Sequence, residues 1–259
     1  MPDLLKDVER YWDSHHLGTQ FLSGTTADVG SREYFVEFDR AMERWDYKNR
    51  LIDWIASEYR NGTLLEVGCG LGQDLAKFAG RGLAVTAIDL AQSVASMASK
   101  HLAAYGLRGS ILQGDAQALS FPDNTFDVVY SCGVFQHIPN IQQAVDEVYR
   151  VIRNGGMSVI VVYYRYSWLN FLSMLSRMNI EFEDEDPPII NTYTKKRLRR
   201  IFSEFRDVKI ELEYCYPTPT PRKGILPKLY NHFFIPSLRM IPYTLMKNFG
   251  WHAIVKARK

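Results

Sequence analysis

Several things this chain has little of narrow its reading first. It has three cysteines, Cys69, Cys132 and Cys215, and none stands at a metal-ligand or disulfide spacing. That excludes a disulfide scaffold and a thiolate metal site, and makes a reduced, cytoplasmic setting the expectation. No run of about 20 apolar residues occurs, so no membrane-spanning helix is expected. The opening Met1-Pro2-Asp3-Leu4-Leu5-Lys6-Asp7 has neither a basic stretch nor a long apolar one, and no secretory signal is expected. Neither sign of charge dominates. With 31 basic and 29 acidic residues the net charge is +2, which argues neither for nor against a nucleic-acid partner. No internal repeat is found. His15 and His16 are adjacent and point in different directions on a helix or strand. No Cys or carboxylate stands at a matching spacing, so no metal is expected there.

What is present is an ordinary globular composition, 46% hydrophobic over 259 residues, enough for one large α/β domain with a sizeable core. Residues 1–60 form a polar and aromatic arm, helical in pieces, with one helix expected over 37–59. Strands and helices then alternate. Thr63–Val67, Ala84–Asp89, Gly109–Gly114, Phe126–Ser131 and Met157–Tyr163 read as strands. Helices are expected from the glycine turn to Ala79, over Ser93–Tyr105 and over Ile141–Ile152. Such alternation predicts a parallel sheet with helices on both faces. An amphipathic helix over Tyr166–Ile180, an acidic loop Glu181–Pro188 and a basic helix Thr194–Phe205 follow. Val208–Tyr216 and Trp251–Ala257 should close the sheet around a Pro-broken segment, 217–249. The organisation expected is a single domain over 1–259. It comprises an arm (1–60), a core (61–163) and a tail (164–259).

The most informative stretch is Leu64-Leu65-Glu66-Val67-Gly68-Cys69-Gly70-Leu71-Gly72-Gln73-Asp74. An apolar strand runs into a turn with three glycines, and a helix starts near Gln73. Its unpaired N–H groups face the same crevice. Asp89 follows about twenty residues after Gly68, at the end of the next strand, where a carboxylate can accept from two ribose hydroxyls. The pattern departs from the dinucleotide fingerprint. The third glycine comes one residue early, Gln73 stands where that pattern needs glycine, and Glu66 would repel a pyrophosphate. A carboxylate there suits a cofactor with a cationic amino-acid end.

On these residues the chain resembles the class I methyltransferases that use S-adenosylmethionine (SAM) and release S-adenosylhomocysteine (SAH). Residues 60–163 are similar to the group containing ubiquinone/menaquinone-biosynthesis and natural-product methyltransferases. Phe121-Pro122-Asp123-Asn124-Thr125-Phe126-Asp127-Val128-Val129 and Arg153-Asn154-Gly155-Gly156 match its approaches to strands four and five. The resemblance implies a seven-stranded, mostly parallel Rossmann-like sheet; the arm itself reads as an N-terminal helical lid and 217–249 as an insertion before the last strand. The resemblance also implies that Glu66, Gly68, Cys69, Gly70, Asp89 and Leu90 hold SAM. Asp115 and Ala116, in Gly114-Asp115-Ala116, would meet the adenine. Ser131 and Gly133, in Ser131-Cys132-Gly133, would meet the methionine end. Cys132 itself reads as a small buried residue.

His137, in Phe135-Gln136-His137-Ile138-Pro139, is the candidate catalytic residue. The group often carries two histidines here, and this chain has Gln136 in the first position. His137 is open to three readings: general base for a hydroxyl acceptor, hydrogen-bond partner of the acceptor, or a packing residue. Tyr163, Arg165 and Tyr166 are candidate acceptor contacts after strand five, or packing and surface pairing. Tyr11 and Tyr34 are candidate lid contacts, or packing. Lys195–Arg200 reads as a solvated helix face or a contact for a phosphate-rich partner. Ile225–Phe249 is too apolar for an idle loop. It could wall a hydrophobic substrate, contact a second copy, pack on the sheet or touch a membrane surface. The expected function is methyl transfer to a small molecule, foremost at oxygen, by a monomer or homodimer without a nucleic-acid partner. Methylation at nitrogen or carbon, a SAM-binding catalyst that does not methylate, and an NAD-dependent oxidoreductase are the rivals.

Overall fold

The structure is a computed structural model and describes residues 2–16, 19, 22, 24–43, 46–176, 186–214 and 224–259. Seven strands form one sheet in the order β3-β2-β1-β4-β5-β7-β6. They are β1 (Thr63–Val67), β2 (Ala84–Asp89), β3 (Ser110–Gln113), β4 (Phe126–Cys132), β5 (Ile152–Tyr163), β6 (Arg206–Glu213) and β7 (His252–Arg258). β1 to β5 pair in parallel, and β7 runs antiparallel between β5 and β6. The helices include α1 (Pro2–Ser14), α2 (Arg32–Met42), α3 (Asp46–Glu58), α4 (Gln73–Gly80), α5 (Gln92–Ala104) and α6 (Ile141–Val151). After β5 come α7 (Trp168–Ser176), α8 (Lys195–Ile201), α9 (Ile225–Leu229), α10 (Ile235–Arg239) and α11 (Tyr243–Met246).

Alternation along β4 shows how both faces are covered. Val129 packs in a cluster with Ile141, Val145 and Val148 of α6 and Leu198 of α8. Val128 and Tyr130 pack in another with Leu51, Ile52 and Ile55 of α3, Leu75 of α4 and Leu102 of α5. Successive strand residues point to opposite faces, so one strand feeds two cores. Each apolar residue set recurs at helical spacing on its own helix, which is why the helices dock as they do.

Several boundaries differ from the sequence reading. The basic helix is Lys195–Ile201 rather than Thr194–Phe205, and the helix expected over Tyr166–Ile180 starts at Trp168, while 177–185, with most of the acidic loop, lie outside the described residues. The helix expected over 37–59 is two, α2 and α3, the first begun by Ser31, whose hydroxyl accepts from Tyr34 N at 3.1 Å. β5 starts at Ile152 rather than Met157. The Arg153–Gly156 stretch bulges out of the β4 ladder, whose register jumps between Phe126 and Val128. It pairs instead with the last residue, Gly155 N donating to Lys259 O (3.1 Å) and Lys259 N to Gly156 O (3.1 Å). β6 is Arg206–Glu213, shifted from the expected 208–216. The topology puts the carboxyl ends of β3, β2, β1 and β4 side by side, where an open α/β sheet leaves its crevice.

Candidate active site at the carboxyl edge of the sheet

The glycine turn lies on the end of β2. Gly68 N and Cys69 N both donate to Ile88 O, at 2.8 and 3.2 Å. A Cβ on Gly68 would stand 2.3 Å from a Val134 methyl, so the close approach of the β1 and β4 turns needs glycine. Gly70 has φ +53°, and an added Cβ there would meet no atom within 4 Å. Its backbone lies open to the cavity. Asp89 ties this turn down: Oδ2 accepts from Gly70 N (3.0 Å) and Oδ1 from Ala91 N (3.1 Å). Burial raises the Asp89 pKa to about 6, against the pull of those N–H donors. Each oxygen retains acceptor capacity toward the cavity, which Asp89 and Leu90 line.

Next to Asp89, Asp115 and Ala116 line the same cavity. The Asp115 carboxylate accepts from Gln117 N (2.9 Å) and from Gln117 Nε2 (3.2 Å). Gln117 also faces the cavity and accepts from Asn140 N at 3.0 Å, which fixes its amide. The sequence reading missed it.

At the other end, Glu66, Asp74 and Lys48 meet. Lys48, from α3, pairs with Asp74, in the first turn of α4, at 2.8 Å. Tyr130 OH donates to the same Asp74 oxygen at 2.9 Å. Burial works against the Lys48 ammonium, yet Asp74 leads the charges that raise its pKa above the ordinary value. Glu66 is buried, and burial, reinforced by Asp74, lifts its pKa well above the usual carboxylate range. Its Oε2 is buried without a hydrogen-bond partner. Two acids and one base thus stand at this end. Burial also pushes the Cys69 and Cys132 thiols up, so neither is poised as a thiolate.

His137 is 3% exposed and lies in a one-turn 3-10 helix, Phe135–His137, after β4. Its Nδ1 is 2.7 Å from Ile189 O. A carbonyl only accepts, so Nδ1 carries the proton and Nε2 keeps its lone pair, toward which Gln136 Nε2 donates at 3.1 Å. Trp12 of α1 meets the imidazole edge to face, with centroids 5.0 Å apart. Tyr163 meets it at 6.1 Å and 89°, and stacks on Trp251 at 4.1 Å.

The arm supplies one cavity wall through Leu5, Val8, Trp12, His15 and His16. It is held by Asp13, which accepts from Ser93 Oγ (2.6 Å), and by Glu9, which accepts from Gln113 Nε2 (2.9 Å).

Of the residues singled out in the sequence, Glu66, Gly68, Cys69, Gly70, Asp89, Leu90, Asp115, Ala116, Gly133 and His137 line one cavity. Six do not. Ser131 is fully buried, its hydroxyl donating to Val67 O at 2.7 Å, and ties β4 to β1. Tyr11 turns away and stacks on His15 at 4.3 Å. Tyr34 packs with Phe35, Phe38 and Leu71 behind the glycine turn. Tyr163 backs His137 without reaching the cavity. Arg165 is exposed and donates its backbone N–H to Tyr193 O (2.9 Å), while Tyr166 is 63% exposed. Trp12, Lys48, Asp74 and Gln117 are the wall residues that were missed. Leu5, Val8, Trp12 and His15/His16 do recur at helical spacing, a signal for one face of α1.

This strand order and a glycine–acid crevice at the carboxyl edge define a class I methyltransferase fold. Residues 65–160 match the family model described as a methyltransferase domain. Phosphatidylethanolamine N-methyltransferase of Cereibacter sphaeroides is 37% identical over 107 residues, 40% of this chain and 52% of that protein. The 2-methyl-6-phytyl-1,4-hydroquinone methyltransferase of Synechocystis sp. is 32% identical over 157 residues, 59% of this chain and 46% of that protein. Ubiquinone biosynthesis O-methyltransferase of Rickettsia felis is 34% identical over 113 residues, 42% and 46% of the two chains. This chain spans about half the length of these curated relatives. Among solved structures, a SAM-dependent methyltransferase from Archaeoglobus fulgidus aligns at TM-score 0.58 and 19% identity, over 87% of this chain and 100% of that one. The [4+2]-cyclase SpnF aligns at TM-score 0.58 and 18% identity, over 97% and 94%. These two share the fold. Among the described residues, no helix is long and apolar enough to cross a membrane.

Proposed function

We propose that the chain is a SAM-dependent methyltransferase acting on a small molecule, foremost at a hydroxyl oxygen. The observation that carries the cofactor reading is the pairing of two features in one cavity. Asp89 holds an open Gly70 backbone at one place, and Glu66 has a buried oxygen without a partner at another. A dinucleotide would bring a pyrophosphate beside Glu66, whereas SAM brings an ammonium there. The residues therefore fit SAM. Asp89 would accept from its ribose, Asp115, Ala116 and Gln117 would border its adenine, and Glu66 with Asp74 would meet its ammonium. Lys48 is the cation at hand for its carboxylate. When bound, SAM supplies an electrophilic methyl group.

The chain's own residues then do three things. α1 and the His137 turn exclude water from the cavity and set the approach of the acceptor. Trp12 offers an apolar face for it. His137, with Nδ1 committed to Ile189 O, presents a basic Nε2 that can take the hydroxyl proton as the oxygen attacks. Gln136 Nε2 fills that position until an acceptor displaces it. The relatives' names speak of a hydroquinone, of phosphatidylethanolamine and of ubiquinone biosynthesis, and they support a small-molecule class without naming this chain's own acceptor.

Calorimetric titration with SAH and with NADH tests the cofactor reading. Saturable SAH binding and no NADH binding is expected; the reverse overturns it. Methyl-labelled SAM offered with a panel of phenols, aliphatic alcohols and amines, read by mass spectrometry, tests the acceptor class. Label appearing only on amines would replace the oxygen reading.

A further inference from the structure

We infer that the segment Ile225–Phe249 is a docking surface for an anionic lipid membrane. The inference goes beyond the methyl-transfer reading and does not depend on it.

The segment begins as one helical stretch, 225–239, in which a wide turn at Tyr230–Phe234 links α9 to α10. It continues through α11 to a short turn ending at Phe249. Pro227 and Pro236 remove backbone donors within the 225–239 stretch, and Pro242 stands between it and α11, so the segment does not run on as one long helix. Among its described side chains few are buried. Ile235 and Met246 are buried, and Tyr243 OH donates to Glu213, the last residue of β6. Of its other large apolar side chains that the structure describes, Tyr230, Phe234 and Leu238 are half-buried and the rest face outward. Ile225, Leu229 and Phe233 follow at intervals of four, one row along a helix, and Ile225 and Phe233 are 78% and 70% exposed. Met240, Leu245 and Phe249 are 86%, 59% and 57% exposed. A contiguous stretch with this much apolar surface in water marks an interaction site.

Charge decides the occupant. From Ile225 to Phe249 the chain carries Lys228, Arg239 and Lys247 and no acidic residue, and no acidic residue follows Glu213 to the end of the sequence. Two copies meeting on this face about a two-fold would bring lysines toward lysines with no acid of the segment between them. A surface of anionic headgroups over acyl chains satisfies both properties. Leucine, isoleucine, methionine and phenylalanine enter the apolar boundary, and the lysines meet the headgroups. Tyr230 and Tyr243 suit the boundary itself.

Flotation of the full chain with vesicles tests this. Phosphatidylcholine vesicles are compared with vesicles containing about 30 mol% phosphatidylglycerol, at low and high salt. The chain should float with the anionic vesicles, at least about tenfold better than with the neutral ones, and salt should weaken this. Lys228→Glu with Lys247→Glu should cost roughly tenfold or more on anionic vesicles. Leu229→Glu with Phe233→Glu should abolish flotation. Unchanged thermal unfolding and unchanged SAH affinity separate this from misfolding, and Leu245→Gln alone, expected to weaken flotation, serves if the double variant does not fold. No flotation with anionic vesicles, or equal flotation with both, overturns the proposal. So does a concentration-dependent dimer in analytical ultracentrifugation that Leu229→Glu with Phe233→Glu disperses.

Discussion

The two walls of the cavity are built on different principles. The donor-side wall is made of strand ends: glycine backbone, Asp89 and Asp115, each held by hydrogen bonds to neighbours within a few residues or on the adjacent strand. The facing wall is made of side chains of α1 and the His137 turn, held by contacts between distant segments, Asp13 with Ser93 and His137 with Ile189. The first wall is preorganised and polar, suited to a ligand whose shape never changes. The second is apolar and aromatic, and it depends on the docking of a helix and of the chain near residue 189. On the proposed function, a fixed donor and a variable acceptor call for such a division.

That comparison can be broken at several points. The largest effect belongs where the walls meet: His137→Ala should lower the methyl-transfer rate by on the order of 10²–10⁴, with SAH affinity in calorimetry nearly unchanged. If SAH affinity falls in parallel, His137 belongs to the donor wall. Asp89→Ala removes charged hydrogen bonds worth roughly 1.5–3 kcal/mol each. SAH affinity should fall by about a hundredfold, and an unchanged value would remove Asp89 from the site. A smaller effect follows from pH. The ribose hydroxyls donate to an ionised carboxylate, and Asp89 titrates near 6, so protonation competes with binding. SAH affinity should be full above about pH 7 and fall as pH drops through 6, by up to about tenfold per unit. Glu66, raised by burial, acts with the same sign. A flat profile between about pH 5 and 8 would deny both carboxylates a role. The smallest is on the lid: Asp13→Ala loosens α1 at one exposed contact worth about 1 kcal/mol. SAH release in stopped-flow should quicken by a few-fold, and no change would mean that α1 does not gate the donor.

The division also explains what could be read in the sequence. Strand-end residues are legible because their neighbours in space are set by the topology. Gly68, Gly70, Asp89 and Asp115 each sit a fixed step from an apolar run, and a parallel sheet brings those steps together. Side chains on helices are legible only to the phase of the helix. Tyr11 and Trp12 differ by one position, about a quarter turn on α1, and only Trp12 faces the cavity. Tyr34 likewise fell on the face of α2 that packs behind the glycine turn. Lys48 lay concealed because it neighbours Tyr47, Leu51 and Ile52 on the buried side of α3. Its partner Asp74 is 26 residues away and lies in the first turn of α4. Arg165 and Tyr166 stand just past β5, where a strand end predicts proximity to the crevice. Their own turn sends them to solvent. The bulge of Arg153–Gly156 was hidden for a similar reason, since its partner is Lys259, at the far end of the sequence.

The antiparallel β7 carries one more consequence. Glu213 and His252 are cross-strand partners, so everything between them is topologically a hairpin loop, however large. Its two ends are fixed at the spacing of adjacent strands, and lengthening such a loop costs little, about 0.6 kcal/mol per doubling. Material can be added to or exchanged within this excursion without disturbing a ladder hydrogen bond of the sheet. The fold thus has a place where evolution can alter what the molecule attaches to while leaving the crevice at the carboxyl edge of the sheet untouched.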